Sequence, residues 1–231
     1  MDLSPMLRAS NLFAGLPPEC VMELAHLAVR RRFERGEQIF RVGERATFLG
    51  VLTHGLVKLV RPTNDGASCI VAIWGPRQTI GNLAVIAREG YPGNAVVVSA
   101  EAEVLTLEAE AILAAAERRP PIAWALARSL TEHGYALHDK IGIMSAGAVE
   151  QRLKALLSHL AERFGDEFDD GIHIPVVLSR GELASMVGAT VETTIRAMSR
   201  WQKQRVVETT AEGFRILDPG WLARAAARSA A

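Results

Sequence analysis

Two residues of opposite charge, Glu192 and Arg196, stand four positions apart in the segment GATVETTIRAMSRW. At this spacing both side chains lie on the same face of a helix. An arginine can donate two hydrogen bonds to one guanine, and a glutamate can accept one from cytosine, so the pair could recognise base pairs in the DNA major groove. The alternative is an ordinary surface ion pair that stabilises the helix by about 0.2–0.5 kcal/mol.

The residues around this pair predict which side of the helix is buried. Four of them recur at i, i+3, i+4 and i+7 and form the expected buried stripe: Thr194, Ala197, Met198 and Trp201. Burial of this stripe turns Val191, Ile195 and Ser199 outward together with the charged pair. The two exposed aliphatic side chains could contact thymine methyl groups, whereas a simple surface ion pair gives no reason for them.

Two short helices must position this outward edge. Ser179 followed by Glu182 forms a capping box, which predicts a helix that starts at residue 180 and ends at Gly188. Thr190 is the expected N-cap of the next helix. Two short helices joined by a tight turn predict a helix-turn-helix, in which the N-terminal half of the second helix enters the major groove. The segment VVETTAEGFRILD that follows predicts a two-stranded wing with its turn at Glu212-Gly213.

The charge of the chain becomes informative only in this region. The 231 residues include 26 basic and 26 acidic ones, so the net charge indicates no partner. Residues 179–205 contain five basic residues (Arg180, Arg196, Arg200, Lys203 and Arg205) against two acidic ones, and this excess suits phosphate contact. We therefore expect double-stranded DNA to contact Ser179, Arg180, Thr190, Val191, Glu192, Thr193, Ile195, Arg196, Ser199 and Arg200.

The N-terminal half has a different pattern. Between about Phe33 and Leu107, short β-branched runs alternate with glycines, which predicts an antiparallel roll or barrel. The segment TNDGAS is an expected hairpin turn, because Asp-Gly accepts positive φ. One helix is predicted before the roll and one after it, the second ending at Pro120-Pro121. The first has its apolar residues at helical spacing: Val21, Leu24, Leu27 and Ala28.

A long helical region connects the two halves. Six of its residues alternate spacings of four and three, which is the heptad pattern of paired helices: Leu130, Gly134, Leu137, Ile141, Met144 and Ala148. We predict that this seam pairs with a second copy to form a homodimer. The alternative is that it packs on its own roll. The helix is expected to break near residues 145–147, before a second helix from Val149 to Phe164 and an acidic loop, GDEFDDG.

The order of these parts resembles the Crp/Fnr superfamily of bacterial transcription regulators. The likeness runs from NLFAGLPPE to the wing, and its most specific pieces are TVETTIRAMSRW and the glycine pattern (Gly36, Gly43, Gly55, Gly66, Gly75 and Gly81). It implies an α+β chain with an N-terminal antiparallel β-roll of the cyclic-nucleotide-binding type (a double-stranded β-helix), a long dimerisation helix and a C-terminal winged helix-turn-helix. We expect a β-roll sensor domain over 1–120, the dimerisation helix and hinge over 121–147, and the DNA-binding domain over 148–231.

The resemblance also implies a mode of DNA recognition. Both main branches of the family read a TGA core with a glutamate and an arginine at the positions of Glu192 and Arg196. The Val191-Glu192-Thr193 triplet is similar to the Fnr branch, while Ile195 replaces that branch's serine. We predict a TTGA-like or NTGA-like inverted repeat whose outermost base is unassigned. A homodimer on such an operator, in contact with RNA polymerase, is what the family implies.

The effector site departs from the family pattern. The cyclic-AMP receptor has a glutamate where this chain has Asn82, and an Arg-Ser pair where it has Gly93 and Asn94. Without a cation a buried phosphate would stay unpaired, which argues against cyclic AMP. The cysteine cluster that binds a [4Fe–4S] cluster in Fnr is also missing. Any effector is expected to contact Gly81, Asn82, Leu83, Gly93, Asn94, Ala95, Leu137 and His138.

The cofactor therefore stays unassigned at this point. The alternatives are haem with His54 or His138 as axial ligand, a small apolar or acidic metabolite, or no ligand. The two cysteines, Cys20 and Cys69, lack metal-binding spacing and are expected to be buried or half-buried thiols, so no metal site is predicted.

Other classes of protein fit the sequence less well. A cupin-like enzyme needs clustered histidines, but His54 is the only histidine between Phe33 and Leu107, and the catalytic motifs of common enzymes are missing. A ligand-binding or haem-based sensor dimer that acts on a protein partner would have no use for Glu192 and Arg196 on a wing-flanked helix. No signal peptide or 18-residue apolar run occurs, so we expect a cytoplasmic protein without a membrane partner.

Overall fold

A computed structural model describes residues 2–62, 68–218 and 220–222 of the chain. The chain divides into two compact units, one formed by Met1–Ala67 and Val71–Tyr135 and the other by Ser68–Ile70 and Ala136–Ala231. The elements up to the long helix are α1 Ser4–Ala9, α2 Pro18–Leu27, β1 Ala28–Glu34, β2 Gln38–Phe40, β3 Phe48–His54, β4 Val57–Pro62, β5 Ser68–Trp74, β6 Thr79–Ile80, α3 Asn82–Ala87, β7 Asn94–Val97, β8 Glu101–Glu108 and α4 Ala109–Arg118.

The N-terminal strands form two four-stranded sheets, in the orders β1-β8-β3-β6 and β2-β7-β4-β5. The pairs β1–β8, β3–β8, β3–β6, β2–β7 and β4–β7 are antiparallel, so the predicted antiparallel roll is confirmed. Strand β8 is buried from Ala102 to Leu107 because both of its faces are covered, one by the roll interior and the other by α2 and α4. The core of this unit is therefore largely aliphatic and continuous around β3 and β8.

Gly55 shows why the roll needs glycine at a tight turn. Its φ is +81°, and an added β-carbon would collide with the Glu101 carbonyl oxygen. Any other residue at this position would therefore strain the turn between β3 and β4.

Two boundaries in this unit differ from the predictions. The roll begins at Ala28 rather than near Phe33, because all seven residues of β1 pair with β8, from Ala28 opposite Leu107 to Glu34 opposite Glu101. Ala28 consequently belongs to β1 and not to the preceding helix. The expected Asp-Gly hairpin turn, including Gly66, falls on residues 63–67 and lies outside the described residues.

The long helix α5 spans Pro120–Met144. Helix α4 ends at Arg118, which confirms the predicted stop at the two prolines. The predicted break after Met144 is also confirmed, and Gly147 adopts a φ of +83° there. One side of the helix is buried near its start, at Ile122, Ala125, Leu126 and Ser129. Most of the predicted seam is exposed: Leu130, Leu137, Ile141 and Met144 are 42%, 45%, 61% and 43% exposed, Ala148 is exposed and Gly134 is half-buried.

The C-terminal unit holds the remaining elements. They are α6 Val149–Phe164, β9 Asp166–Phe168, β10 Gly171–Ile174, α7 Arg180–Met186, α8 Val191–Lys203, β11 Val207–Thr210 and β12 Gly213–Ile216. The strands form one antiparallel sheet in the order β11-β12-β10-β9. Helix α6 has the bounds that the sequence predicts.

The acidic segment GDEFDDG is not a loop, so this prediction was wrong. Its residues form β9 and the turn into β10, with Glu167 opposite Ile172. The hairpin is held by a ring contact between Phe168 and His173, whose centroids are 4.5 Å apart, and by a 2.8 Å contact between His173 Nε2 and Asp170 Oδ1. The acidic composition concealed these partners, since strands are usually depleted in Asp.

Candidate nucleic-acid interface

Helix α7 starts where its cap residues predict. The Ser179 hydroxyl accepts a hydrogen bond from the Glu182 N–H at 3.2 Å, and the Glu182 carboxylate accepts one from the Ser179 N–H at 2.8 Å. The helix ends at Met186, two residues before the predicted Gly188. Gly188 instead adopts a φ of +60° in the turn that leads into α8.

Helix α8 is fixed by its N-cap and by its buried stripe. The Thr190 hydroxyl accepts a hydrogen bond from the Thr193 N–H at 3.2 Å, as the predicted N-cap should. The four stripe residues are almost fully buried, which confirms the predicted inward face: Thr194 0%, Ala197 2%, Met198 2% and Trp201 4% exposed. Trp201 also packs edge-on against Trp221 at 4.8 Å. The rotation of α8 about its axis is therefore set by apolar contacts.

This rotation exposes the outer edge of α8. The Glu192 and Arg196 side chains are 80% and 66% exposed, and Arg196 Nη1 lies 3.7 Å from Glu192 Oε1. Val191 and Ile195 are 47% and 46% exposed beside them, and Ser199 is also exposed. An exposed ion pair at this distance is weak, so both groups can turn to other partners at little cost. The structure thus places a carboxylate, a guanidinium and two aliphatic groups on one accessible edge.

The other predicted contact residues have partners inside the protein. The Thr190 hydroxyl donates to Thr193 Oγ1 at 2.9 Å, and Arg196 Nη2 lies 3.5 Å from the same oxygen. Arg180 donates a 2.7 Å hydrogen bond to Thr209 Oγ1 on β11, which connects the start of α7 to the wing, and burial lowers the Arg180 pKa. Arg200 Nη1 lies 2.6 Å from Glu150 Oε1 on α6.

Sequence reasoning missed the residues of α6 that contact the helix-turn-helix and the segment after the wing. Besides Glu150, Arg152 donates from Nη1 to the Gly188 carbonyl oxygen at 3.4 Å. Lys154 Nζ lies 4.7 Å from the centre of the Trp221 ring. The two residues of each contact are at least 36 positions apart in sequence, and no local pattern indicates contacts of this range.

The predicted effector residues of the first unit lie on α3 and at the start of β7. Asn82 donates from Nδ2 to Ser129 Oγ on α5 at 3.0 Å, and Asn94 Oδ1 accepts from the Val42 N–H at 2.9 Å. Gly93 is buried, and a β-carbon there would lie 2.9 Å from the Val60 carbonyl oxygen. Gly81 is the N-cap of α3, Leu83 is half-buried and Ala95 is buried. Leu137 and His138 belong to the second unit and are both exposed.

An aromatic cluster near α3 was also not predicted. The rings of Phe40 and Tyr91 are stacked 3.9 Å apart, and the Tyr91 hydroxyl donates to the Phe48 carbonyl oxygen at 2.7 Å. Burial raises the Tyr91 pKa, although its hydrogen bonds to backbone oppose the shift. The cluster fixes the end of the segment that leads into β7.

The histidines proposed as haem ligands do not fit a buried haem site. His54 is 65% exposed, and its Nε2 lies 3.9 Å from Glu101 Oε1. Within the part of the chain that the structure describes, no three His, Cys, Asp or Glu side chains are arranged to hold a metal ion. Cys20 is buried and Cys69 is half-buried, as predicted, and burial raises the Cys20 pKa.

The hydropathy of the helices bears on membrane contact. Over the described residues, none of the helices combines the length and the apolar character that a membrane span requires.

Comparisons with known proteins agree with this architecture. Residues 30–119 match the cyclic nucleotide-binding domain family, and residues 151–225 match the Crp-like helix-turn-helix domain family. The CRP-like cAMP-activated global transcriptional regulator of Mycobacterium tuberculosis is 25% identical over 97% of this chain and 100% of its own length. The cyclic AMP receptor protein of Thermus thermophilus is 28% identical over 87% of this chain and 89% of its own.

Solved structures show the same fold. A transcriptional regulator of the CRP family from Thermus thermophilus superposes with a TM-score of 0.72 at 24% identity, covering 85% of this chain and 96% of the other. The two domain families lie in the same order as the β-roll and the winged helix-turn-helix described above. The relatives are transcription regulators and not enzymes, so the enzyme alternative is set aside. The chain belongs to the Crp/Fnr superfamily of DNA-binding transcription regulators.

Proposed function

We propose that the chain works as a homodimer in which two α8 helices read the two halves of an inverted repeat in double-stranded DNA. The observation that carries this proposal is the exposed edge of α8. It presents Glu192 and Arg196, flanked by Val191 and Ile195, on the N-terminal half of a helix whose opposite face is buried. This half of the second helix is the part of a helix-turn-helix that enters the major groove.

The chemistry of this edge fits a TGA half-site. The Arg196 guanidinium can donate two hydrogen bonds to guanine O6 and N7, and the Glu192 carboxylate can accept one from a cytosine N4 amine. The methyl groups of Val191 and Ile195 suit thymine. Because Ile195 has no hydrogen-bonding group, we propose a TTGA-like or NTGA-like repeat in which the outermost base contributes little.

The exposed seam of α5 supports the dimer. Four large apolar side chains of this helix face outward at heptad spacing: Leu130, Leu137, Ile141 and Met144. A second α5 packed against this seam would bury them. A symmetric dimer would place its two α8 helices on half-sites about one helical turn, or ~34 Å, apart. The proposed division is a sensor roll over 1–120, the dimerisation helix and hinge over 121–147, and the DNA-binding domain over 148–231.

The effector is proposed not to be cyclic AMP, although two relatives carry that ligand in their names. Gly93 and Asn94 supply no cation for a buried phosphate, and Gly93 lies so close to Val60 that a side chain would displace backbone. Asn82 already donates to Ser129. Titration calorimetry with cyclic AMP should show no binding heat, and saturable micromolar binding would contradict this part of the proposal.

Contact with RNA polymerase and a cytoplasmic location complete the proposal. Both rest on the family and on the names of the relatives, which are transcription regulators. Any small-molecule effector would bind the roll.

Fluorescence anisotropy tests the proposed function directly. The titration compares a duplex that carries TTGA and TCAA in two half-sites one helical turn apart with a duplex in which only those bases are scrambled. We expect at least about 10³-fold tighter binding to the intact repeat, with a steep dependence on salt. Equal affinities for the two duplexes would overturn the proposal.

A further inference from the structure

Arg200 lies one helical turn after Arg196 on α8, but its charge is paired with a carboxylate of the protein itself. Its Nη1 atom lies 2.6 Å from Oε1 of Glu150, the second residue of α6. The two residues are 50 positions apart in sequence, so the pair connects two helices of the DNA-binding unit. A charged hydrogen bond this short is among the stronger ones in proteins.

These two arginines of α8 differ in how firmly they are held. The Arg196 guanidinium lies 3.7 Å from Glu192 and 3.5 Å from the Thr193 hydroxyl, both on its own helix. Arg200 is bound more closely, at 2.6 Å, to a carboxylate on another element. Both Arg200 and Glu150 are nevertheless reachable, since their side chains are 56% and 42% exposed. A DNA phosphate could therefore compete with Glu150 for the guanidinium.

Competition between a DNA phosphate and Glu150 for Arg200 matters because of the local charge balance. Residues 179–205 hold five basic and two acidic side chains, an excess of three. Glu150 lies outside that segment, and its carboxylate cancels one of those charges. Each phosphate that a basic side chain neutralises adds about 0.9 to the slope of log affinity against log salt.

We propose that Glu150 neutralises Arg200 and thereby limits the affinity of the protein for the DNA backbone, so that tight binding depends on the base contacts of α8. This inference rests on the proposed placement of α8 against DNA. Glu150 acts through Arg200 and contacts no base, so it limits affinity for the DNA backbone and leaves the preference for the repeat unchanged. Loss of the carboxylate would add one phosphate contact per protomer on any DNA sequence.

The fold does not depend on this pair. The buried faces of α6 and α8 are apolar, with Leu153, Leu157, Ala197 and Met198 at most 2% exposed. Exposed ion pairs contribute little to stability. Glu150→Gln keeps the shape of the side chain and removes only its charge.

The test is a double-mutant cycle with Glu150→Gln, Arg200→Ala and the combined variant. Glu162→Gln is the matched control, because Glu162 is an exposed carboxylate on the same helix and the substitution changes the net charge equally. Anisotropy titrations use full-length protein, the intact repeat and the scrambled duplex, between about 50 and 250 mM KCl, a range over which phosphate contacts change affinity strongly. Circular dichroism melting verifies that each variant is folded.

We expect Glu150→Gln to bind both duplexes about tenfold tighter per protomer at ~0.1 M salt, with a salt slope steeper by about 0.9 for each protomer. Arg200→Ala alone should bind both duplexes more weakly, because it leaves the charge of the Glu150 carboxylate without its cation. The combined variant, which removes both charges of the pair, should bind both duplexes with the affinity and the salt slope of the unaltered chain. Glu162→Gln should leave the slope as in the unaltered chain.

Three results would overturn the inference. Unchanged or weaker binding by folded Glu150→Gln would make the ion pair purely structural. An equal gain in Glu162→Gln would assign the effect to net charge. A large loss in the combined variant would show that Arg200 already contacts DNA despite Glu150. The proposed function fails separately, if the unaltered protein does not prefer the intact repeat, and the coupling between Glu150 and Arg200 can still be measured on the scrambled duplex.

Discussion

At the scale of single residues, the proposed DNA recognition gives different roles to the inward and the outward side chains of α8. The inward stripe fixes the rotation of the helix, and the outward Glu192 and Arg196 take no part in the core. Side chains that are exposed, weakly paired and chemically suited to base edges can be changed with little loss of stability. Their substitution should therefore alter DNA recognition alone.

Arg196→Lys tests this at the residue that is expected to carry most specificity. Lysine keeps the charge but loses the two-pronged donor geometry, so preference for the intact repeat should fall by about 1–3 kcal/mol per half-site. Affinity for scrambled DNA should hardly change. Lys203→Ala is the control on the same helix: it should weaken binding to both duplexes alike and keep their ratio. An unchanged preference in Arg196→Lys would exclude Arg196 from base recognition.

A second residue-scale prediction concerns Glu103 in the roll. Its burial raises the pKa of this carboxyl, but hydrogen bonds from Arg30, Thr53 and Arg32 outweigh that effect and the pKa is lowered overall. The Thr53 hydroxyl donates at 2.8 Å, and Arg30 Nη2 lies 2.5 Å away. Because the folded pKa is lowered, the stabilisation is present above the ordinary carboxyl pKa and is lost as pH falls through the folded value.

Urea unfolding of the Glu103→Gln variant tests this stabilisation by the Glu103 charge. At about pH 7 the variant should be less stable than the unaltered chain by about 1.5–3 kcal/mol, the range for a hydrogen bond to a charged group. The difference should shrink as the pH falls below the ordinary carboxyl pKa. Glu101→Gln, on the same strand but 64% exposed at its side chain, should cost little at either pH. A gap that is independent of pH would contradict the role given to the Glu103 charge.

At the scale of elements, local signals identified most boundaries. The capping box at Ser179, the N-cap at Thr190 and the proline pair at the start of α5 act within a few residues, and the structure shows each where predicted. Pairing between residues far apart in the chain could not be predicted from the sequence. The early start of β1 depends on its partner β8, and the contacts of Glu150 and Arg152 reach residues 50 and 36 positions away.

The same contrast holds at the candidate site. The outward edge of α8 followed from the period of its apolar residues, because burial of one face determines the other. The partners of Arg180 and Arg200 within the protein could not be predicted in this way, since a sequence cannot show which polar side chains of different elements meet. The acidic hairpin at β9 was missed for the same reason.

Trp201→Ala tests the element that holds α8 in place. Loss of this buried ring should destabilise the C-terminal unit by about 3–5 kcal/mol, since it leaves a cavity beneath α8 and removes the contact with Trp221. Gln202→Ala, at the next and exposed position, should be nearly neutral. Thermal unfolding followed by circular dichroism measures both. A stable Trp201→Ala protein with normal DNA binding would show that the stripe does not set the rotation of α8.

At the scale of the whole molecule, the proposal requires two chains. Leu137 lies in the exposed apolar seam of α5, and a glutamate there would place two like charges against each other in the dimer. Leu137→Glu should therefore sediment as a monomer and lose repeat binding by at least about 100-fold, because one chain reaches only one half-site. Ala136→Glu puts the same charge one position away, outside the seam, and should remain dimeric. A Leu137→Glu protein that stays dimeric in analytical ultracentrifugation would contradict the seam.

The central claim is that the exposed edge of α8 reads a TGA half-site, and the sequences that the protein protects on DNA test it most directly. Footprinting on a pool of genomic fragments, followed by sequencing, recovers those sites without assuming any of them. We predict TGA and TCA triplets in inverted orientation, with centres about one helical turn apart. Protected sequences that lack this pair, or that carry a single unrepeated motif, would contradict the claim.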